Sequence, residues 1–244
     1  MFEGLYLNEA GQSAAGKLLD HLVETHAAFP EVEALAKAAG GIPPTIALNR
    51  HLEAMAKAAG VPVALLAHDL HVTPDAIGNR APLADPLMRA GVVGLSLSAT
   101  LDDCARLYLA ATQALAYQTR HIVDSMAAAG HPAIESVFAC GGLAKNGLYS
   151  GTHADVLGLA LHLPQEDEAV LLGSAILGAT AGGAHPSVGA AMAAMTAVGD
   201  SVAPSTSAAV ATYHDRKYQI FLKMSQDQIG YRAMMTGGGS GAEE

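Results

Sequence analysis

Ser136-Val-Phe-Ala-Cys-Gly-Gly-Leu-Ala-Lys-Asn146 opens as a short apolar run, turns through two glycines and resumes as a helical pattern from Leu143. A strand, a Gly-Gly turn and a helix start bring backbone N–H groups to a place where they can face a ligand. Glycines let a phosphate or a flat ring come close to the main chain, and a helix N-terminus favours negative charge. The same pattern also serves as a plain strand-to-helix turn with no ligand. The flanking chain has to decide between the two.

Working outward, Thr100 precedes Asp102 and Asp103, an N-cap signal with acids in the first turn. The pattern predicts a long helix from there to about Ala129, ended by Gly130, and then the strand 134–139. After the glycines it predicts a helix over about 145–157, a Gly158 stop, a short strand at 160–163 and a very apolar helix over 168–182. That last helix carries Gly173, Ser174, Ala175, Gly178 and Ala179, so close burial on most sides is expected. Pro186 and Ser187 start a helix to about Ala197, and a final helix runs over about 207–234. Toward the N-terminus, residues 4–8 resemble a strand and 11–26 a helix with Leu18, Leu19, Leu22 and Val23 at helical spacing. A second helix is expected at 31–39 and a third, capped by Thr45, to Ala59. Residues 63–72 read as strand or loop, 78–86 as a turn-rich loop and 92–97 as a strand. Strands alternating with helices argue for an α/β fold.

Composition narrows the function classes. The chain has 244 residues, half of them hydrophobic, so it is long enough for one large core or two small ones. A net charge of -10 argues against a nucleic-acid surface. Cys104 and Cys140 fit no metal spacing and read as buried free thiols of a reducing compartment. No apolar run reaches the about 18 residues of a membrane span, and Met1-Phe-Glu-Gly-Leu-Tyr6 has no basic n-region. The expectation is a soluble cytoplasmic protein with no membrane or nucleic-acid partner. Thr236 to Glu244 reads as a flexible Gly-rich tail.

Three constellations bear on chemistry. Gly11-Gln-Ser-Ala-Ala-Gly-Lys17 nearly spells the phosphate-binding loop, but Leu18 stands where a Ser or Thr would hold Mg²⁺. The rival reading places Gly16 on a helix, as a small residue where something packs close. In the loop Gly78 to Pro86, Arg80 and Asp85 either bind a ligand or pin the loop as an ion pair. His68, Asp69, His71 and Asp75 match no zinc pattern, and His153 and Asp155 read as solvated or core-pinning. A Gly-x-Ser-x-Gly elbow is absent, so acyl transfer has no support.

Taken in order, five segments resemble the C-terminal domain of the FGGY carbohydrate kinases. Tyr6 to His21 resembles its opening. Asp69-Leu-His-Val with Gly78-Asn-Arg-Ala-Pro-Leu-Ala-Asp-Pro86 is similar to the following loop in ribulokinase-like members. Cys140 to Asn146 with His153-Ala-Asp-Val-Leu-Gly158 resembles the adenine-site segment, Glu168 to Gly178 the next helix, and Tyr213 to Phe221 the last. The resemblance runs from about 5 to 234, and implies one domain over 1–235 followed by the tail 236–244. It implies a ribonuclease H-like, actin-like ATPase fold with a mixed central sheet and helices on both faces. It further implies transfer of the γ-phosphoryl of MgATP to a sugar hydroxyl, here a pentulose such as D-ribulose.

By motif position, Gly142 and Asn146 match the family's adenine and ribose neighbours, and Gly141 completes the turn. Gly16 matches the small residue near the nucleotide, and Asp20 stands one helical turn on, where some members carry Gln. Thr73 replaces an aromatic common in ribulokinase-like members. The resemblance covers only the second of the family's two lobes. It therefore implies ATP and Mg²⁺ as cofactors, no catalytic or metal-ligating residue in this chain, and sugar contacts from an N-terminal lobe. Little or no activity is expected from the chain alone, and a cut interdomain face implies self-association. The other readings are a non-catalytic nucleotide-binding module and a phosphate-loop NTPase using Lys17.

Overall fold

A computed structural model describes residues 7–166 and 168–237. The chain forms two compact units, one from Met1–Pro132 with Ser207–Glu244 and one from Ala133–Thr206. Its elements in order are α1 (Gly16–Glu24), α2 (Phe29–Ala38), α3 (Pro44–Ala59), a 3₁₀ turn (Val63–Ala67), β1 (His71–Thr73), β2 (Gly91–Val93) and α4 (Leu101–Ala128). Then come β3 (Val137–Phe138), a second 3₁₀ turn (Gly142–Lys145), α5 (Gly147–Leu157), β4 (Leu161–Pro164), α6 (Ala169–Ala181), α7 (Val188–Met195), β5 (Val198–Val202) and α8 (Ala208–Met235).

The first unit is built on α4. Thr100 starts it with a capping box: its hydroxyl accepts from the Asp103 N–H, and its N–H donates to the Asp103 carboxylate at 3.0 Å. Hydroxyls of Ser98 and Thr100 donate to the same carboxylate and hold its pKa down to about 2. Cys104, Ala105, Tyr108, Leu109, Ala111 and Leu115 then lie in the core, at spacings that face several neighbours at once. Helices α1 and α3 pack on this core, as does β1. Cys104 is a buried thiol whose pKa burial pushes up to about 11, whereas Cys140 is exposed, contrary to the reading of both as buried.

Helix α8 joins the same unit through polar contacts. Tyr117 and His214 share a hydrogen bond at 2.8 Å, Tyr213 donates to Gln113 at 3.1 Å, and Tyr218 donates to Asp124 at 2.7 Å. Lys217, 5 % exposed, donates from Nζ to the carbonyls of Ala67 and Leu70 and meets His71 Nδ1 at 2.9 Å. Burial lowers its pKa to about 8, opposed by Asp69. The unfolded chain holds that proton more tightly, so stability rises as pH climbs from about 8 toward the ordinary lysine value of 10.5. Truncating Lys217 to alanine removes the charge but leaves two carbonyls and an imidazole without their donor. The second effect is the larger, and Lys217→Ala is expected to cost about 3 kcal/mol at neutral pH. Thermal unfolding followed by circular dichroism should show the melting point fall by about 6–12 °C; an unchanged melting point would refute the stapling role.

The N-terminal elements differ from expectation in local ways. Helix α1 starts at Gly16 rather than near residue 11, because Gln12 is tied to the Leu115 carbonyl and Thr119 of α4, and Gly11 lies under the Arg80 guanidinium. Of the strand expected at 4–8, residues 4–6 lie outside the described ones, and Leu7 and Asn8 are in no strand. Helix α3 is entered through Pro43 and Pro44, with Thr45 inside it, since proline's fixed φ suits a first turn. Residues 63–72 divide into a 3₁₀ turn and the start of β1, and the strand at 92–97 shrinks to Gly91–Val93.

In the second unit β3 pairs parallel with β4, and β4 antiparallel with β5. The register makes two rows on opposite faces. Val137, Leu161 and Val202 form one, with Leu161 2 % exposed. Phe138, His162 and Ser201 form the other: the rings of Phe138 and His162 lie 5.1 Å apart, and His162 Nδ1 shares a 2.7 Å hydrogen bond with Ser201. Helix α5 packs on β4 and β5, and α6 on α7. The expected burial of α6 is not met. Ile176 alone of its residues is buried, and Val170, Leu171 and Leu177 are exposed. Its apolar residues surround the whole helix, and α7 covers one side.

Candidate functional site

The segment from Ser136 to Asn146 is built around three local devices. The chain leaves β3, and Gly141 takes φ 88, a left-handed value that favours glycine. The 3₁₀ turn Gly142–Lys145 follows. Asn146 then ends that turn and caps α5: its Oδ1 accepts the N–H groups of Leu148 at 3.1 Å and Tyr149 at 3.3 Å. The helix expected over 145–157 is thus a turn and a helix, broken at Asn146 because its side chain competes for the backbone donors.

Side chains beneath the turn fix it in place. Ser150 donates to the Ala144 carbonyl at 2.7 Å, and the Asp155 carboxylate accepts the Ser205 N–H at 2.6 Å. His153 is 5 % exposed, bonds the Tyr149 carbonyl through Nδ1 at 2.9 Å and stacks on the Tyr149 ring at 4.1 Å. Burial lowers its pKa to about 4, so it is neutral at physiological pH. His153 and Asp155 are accordingly framework residues, and Gly158 in the left-handed conformation ends α5.

The two glycines differ in what the fold asks of them. Gly141 needs its conformation. Gly142 has no left-handed φ, is exposed, and an added Cβ would meet nothing within 4 Å. Folding alone does not require glycine there, and the space over the turn is open.

The structure brings Gly141, Gly142 and Asn146 into one loop of the second unit. Gly16 and Asp20 lie one turn apart on α1 of the first unit, Gly16 as its first residue and both partly exposed. Lys17 is exposed on α1, and the described residues ahead of it, 7–15, form no strand. Arg80 pairs with Glu9 and Asp85 with Arg232. The loop is pinned, but not by the Arg80–Asp85 pair expected. His68 pairs with Asp69 at 2.7 Å, His71 with Lys217, and Asp75 with Asn79 and Gln118. His68 and Asp69 are paired with each other and the other two have separate partners, and no three His, Cys, Asp or Glu converge on a metal position among the described residues.

Residues 1–182 match the profile of the FGGY family of carbohydrate kinases, C-terminal domain. The chain belongs to this family. An FGGY carbohydrate kinase domain-containing protein of Xenopus laevis is 51 % identical over 96 % of the chain and 42 % of its own length, and the Homo sapiens protein of the same description 50 % over the same shares. A D-ribulokinase of Saccharomyces cerevisiae is 41 % identical over 73 % of the chain and 25 % of its own length. The chain therefore spans less than half the length of these relatives. A xylulose kinase structure from Rhodospirillum rubrum superposes with TM-score 0.64 at 26 % identity, covering 90 % of the chain and 39 % of its own. A glycerol kinase of Plasmodium falciparum, solved with ADP, shares the fold at TM-score 0.53 and 15 % identity over 73 % of the chain and 37 % of its own. The fold is the α/β, actin-like ATPase fold of the sugar kinases, with a mixed sheet as expected. Among the described residues no helix is long and apolar enough to cross a membrane.

Sequence reasoning missed the capping role of Asn146. The signal was present: Asn followed by Gly-Leu-Tyr is an N-cap pattern. The family resemblance assigns the same residue to the nucleotide.

Proposed function

We propose that this chain is the nucleotide-binding lobe of a sugar kinase that moves the γ-phosphoryl of MgATP to a pentulose hydroxyl, with D-ribulose the first candidate. The observation that carries the reading is the open Gly-Gly turn in a chain of the FGGY family. Gly141 and Gly142 leave room for a flat base against the main chain, and the buried Asn146 lies at the end of the turn. On α1, Gly16 and Asp20 match by motif position the residues that the family resemblance assigns to the nucleotide. The D-ribulokinase of yeast supports the pentulose. Within the first unit, α8 is stapled to residues 67–71 and to α4.

Phosphoryl transfer needs a positioned nucleotide, Mg²⁺ and a base on the acceptor hydroxyl. This chain's residues hold the nucleotide. Mg²⁺ enters this reading as a companion of the nucleotide phosphates. The base and the sugar contacts belong, in this reading, to the remaining length found in the relatives. Exposed Val170, Leu171 and Leu177 support self-association of the isolated chain, to be read as a concentration-dependent mass in sedimentation; a monomer at all concentrations would refute it.

Calorimetry with MgATP tests the nucleotide site. Asn146→Ala loses the cap as well as any ligand contact, which costs about 1 kcal/mol of stability, so it is a poor probe alone. Asn146→Asp keeps the capping oxygen and exchanges the amide. It is expected to bind MgATP about tenfold more weakly, with the melting point recorded alongside because Asn146 is buried. Lys17→Ala is expected to bind like the parent. No turnover is expected with pentuloses; robust Mg²⁺-dependent turnover by this chain would overturn the two-lobe reading. Binding that stays without turnover after the other lobe is supplied would establish the non-catalytic module instead.

A further inference from the structure

The first unit holds a cavity of about 680 Å³ between the first turns of α8 and the segment from Leu65 to His71. That size is typical of small-molecule sites. Its walls are apolar: Leu65, Ala208, Ala209, Ile220 and the ring of Tyr213. Tyr213 is held rigid by its hydrogen bond to Gln113. Ala208 and Ala209 are what leave the space open, since larger side chains on that face of α8 would fill it. At the floor, Lys217 has its donors committed to two carbonyls and His71. At the rim, His68 and Asp69 pair with each other.

Arg216 lines the same cavity and has no ion-pair or hydrogen-bond partner among the described residues. Of the charged groups here, Lys217 and Arg216 are positive and Asp69 is negative, so the cavity carries one uncompensated positive charge. A guanidinium with all its donors unspent, beside a dry wall, is suited to a carboxylate approaching two N–H groups at once. We propose that this cavity binds an amphipathic monoanion, an apolar body seated against Leu65, Tyr213 and Ile220 with its carboxylate on Arg216. The site is independent of the nucleotide reading, because it shares no residue with Gly16, Asp20, Gly141, Gly142 or Asn146.

The test is calorimetry on the full 244-residue chain with sodium octanoate, against acetate and 1-octanol as probes of charge alone and of the apolar body alone. Octanoate is expected to bind saturably at one site and at least tenfold more tightly than either control. Arg216→Gln, at an exposed position whose loss should leave the melting point unchanged, is expected to weaken octanoate about tenfold and leave octanol unaffected. Ala209→Phe, also on the exposed side of the helix, is expected to abolish binding by filling the cavity. Absence of saturable octanoate binding would overturn the proposal. So would equal affinity for acetate or octanol, or octanoate binding unchanged in both variants.

Discussion

Replacing Gly94 with alanine is expected to lower stability by about 4 kcal/mol or more, an exceptional cost for one methyl group. Gly94 has φ 97, and a Cβ built on it would lie 1.9 Å from the Asp69 carbonyl oxygen and 3.0 Å from its carbon. Both are backbone atoms, so no side chain can swing away. The chain leaving β2 crosses the chain entering β1 at this point, just beyond the pair His71–Val93. Relief of the overlap has to open that pair, and with it the carbonyl of Leu70 that Lys217 holds. A left-handed φ alone costs an L-residue only about 1–2 kcal/mol. Gly60 supplies the control, with φ 67 at the end of α3 and nothing within 4 Å of an added Cβ. Gly60→Ala should therefore cost about 1 kcal/mol. Urea denaturation of the two variants separates strain from overlap. If they lose the same stability, the crossing is not as close as the structure has it.

Gly94 also illustrates where the sequence stops being legible. It sits inside Val92-Val-Gly-Leu-Ser-Leu97, whose apolar alternation reads as one continuous strand. The strand ends at Val93 because the next residue meets a chain more than twenty positions away, and no local pattern records that. Helix ends were readable because their causes are local. Thr100 with Asp103 builds a capping box, and Gly60 and Gly158 take the left-handed conformations that end α3 and α5. The class of fold followed from the same alternation of elements. The Lys217 staple could not be foreseen, since it depends on α8 meeting residues some 150 positions earlier. The burial of α6 failed for the converse reason. Hydrophobicity shows that a helix wants cover, but not whether the chain supplies it. For the candidate site, the Gly-Gly turn was legible as a turn. That one glycine is demanded by backbone geometry and the other is not emerges only from coordinates.

That difference makes Gly142→Val the sharpest test of the proposed nucleotide site. Valine there meets no atom within 4 Å of its Cβ and requires no left-handed backbone. The melting point should stay within about 2 °C of the parent, the usual range for an exposed position. In the proposed site, however, its two methyl groups occupy the space where the adenine ring would lie against the turn. A flat base cannot stack on the main chain at van der Waals distance with a branched side chain between them. MgATP affinity is therefore expected to fall at least a hundredfold, about 2.7 kcal/mol, with folding intact. Gly141→Val would not serve, because φ 88 strains any L-residue and confuses folding with binding. Calorimetry and thermal melting on the same preparation give both readouts. Weak binding with an unchanged melting point is the signature of a ligand site. Parent-like binding would place the nucleotide elsewhere and leave the glycine pair as a strand-to-helix turn.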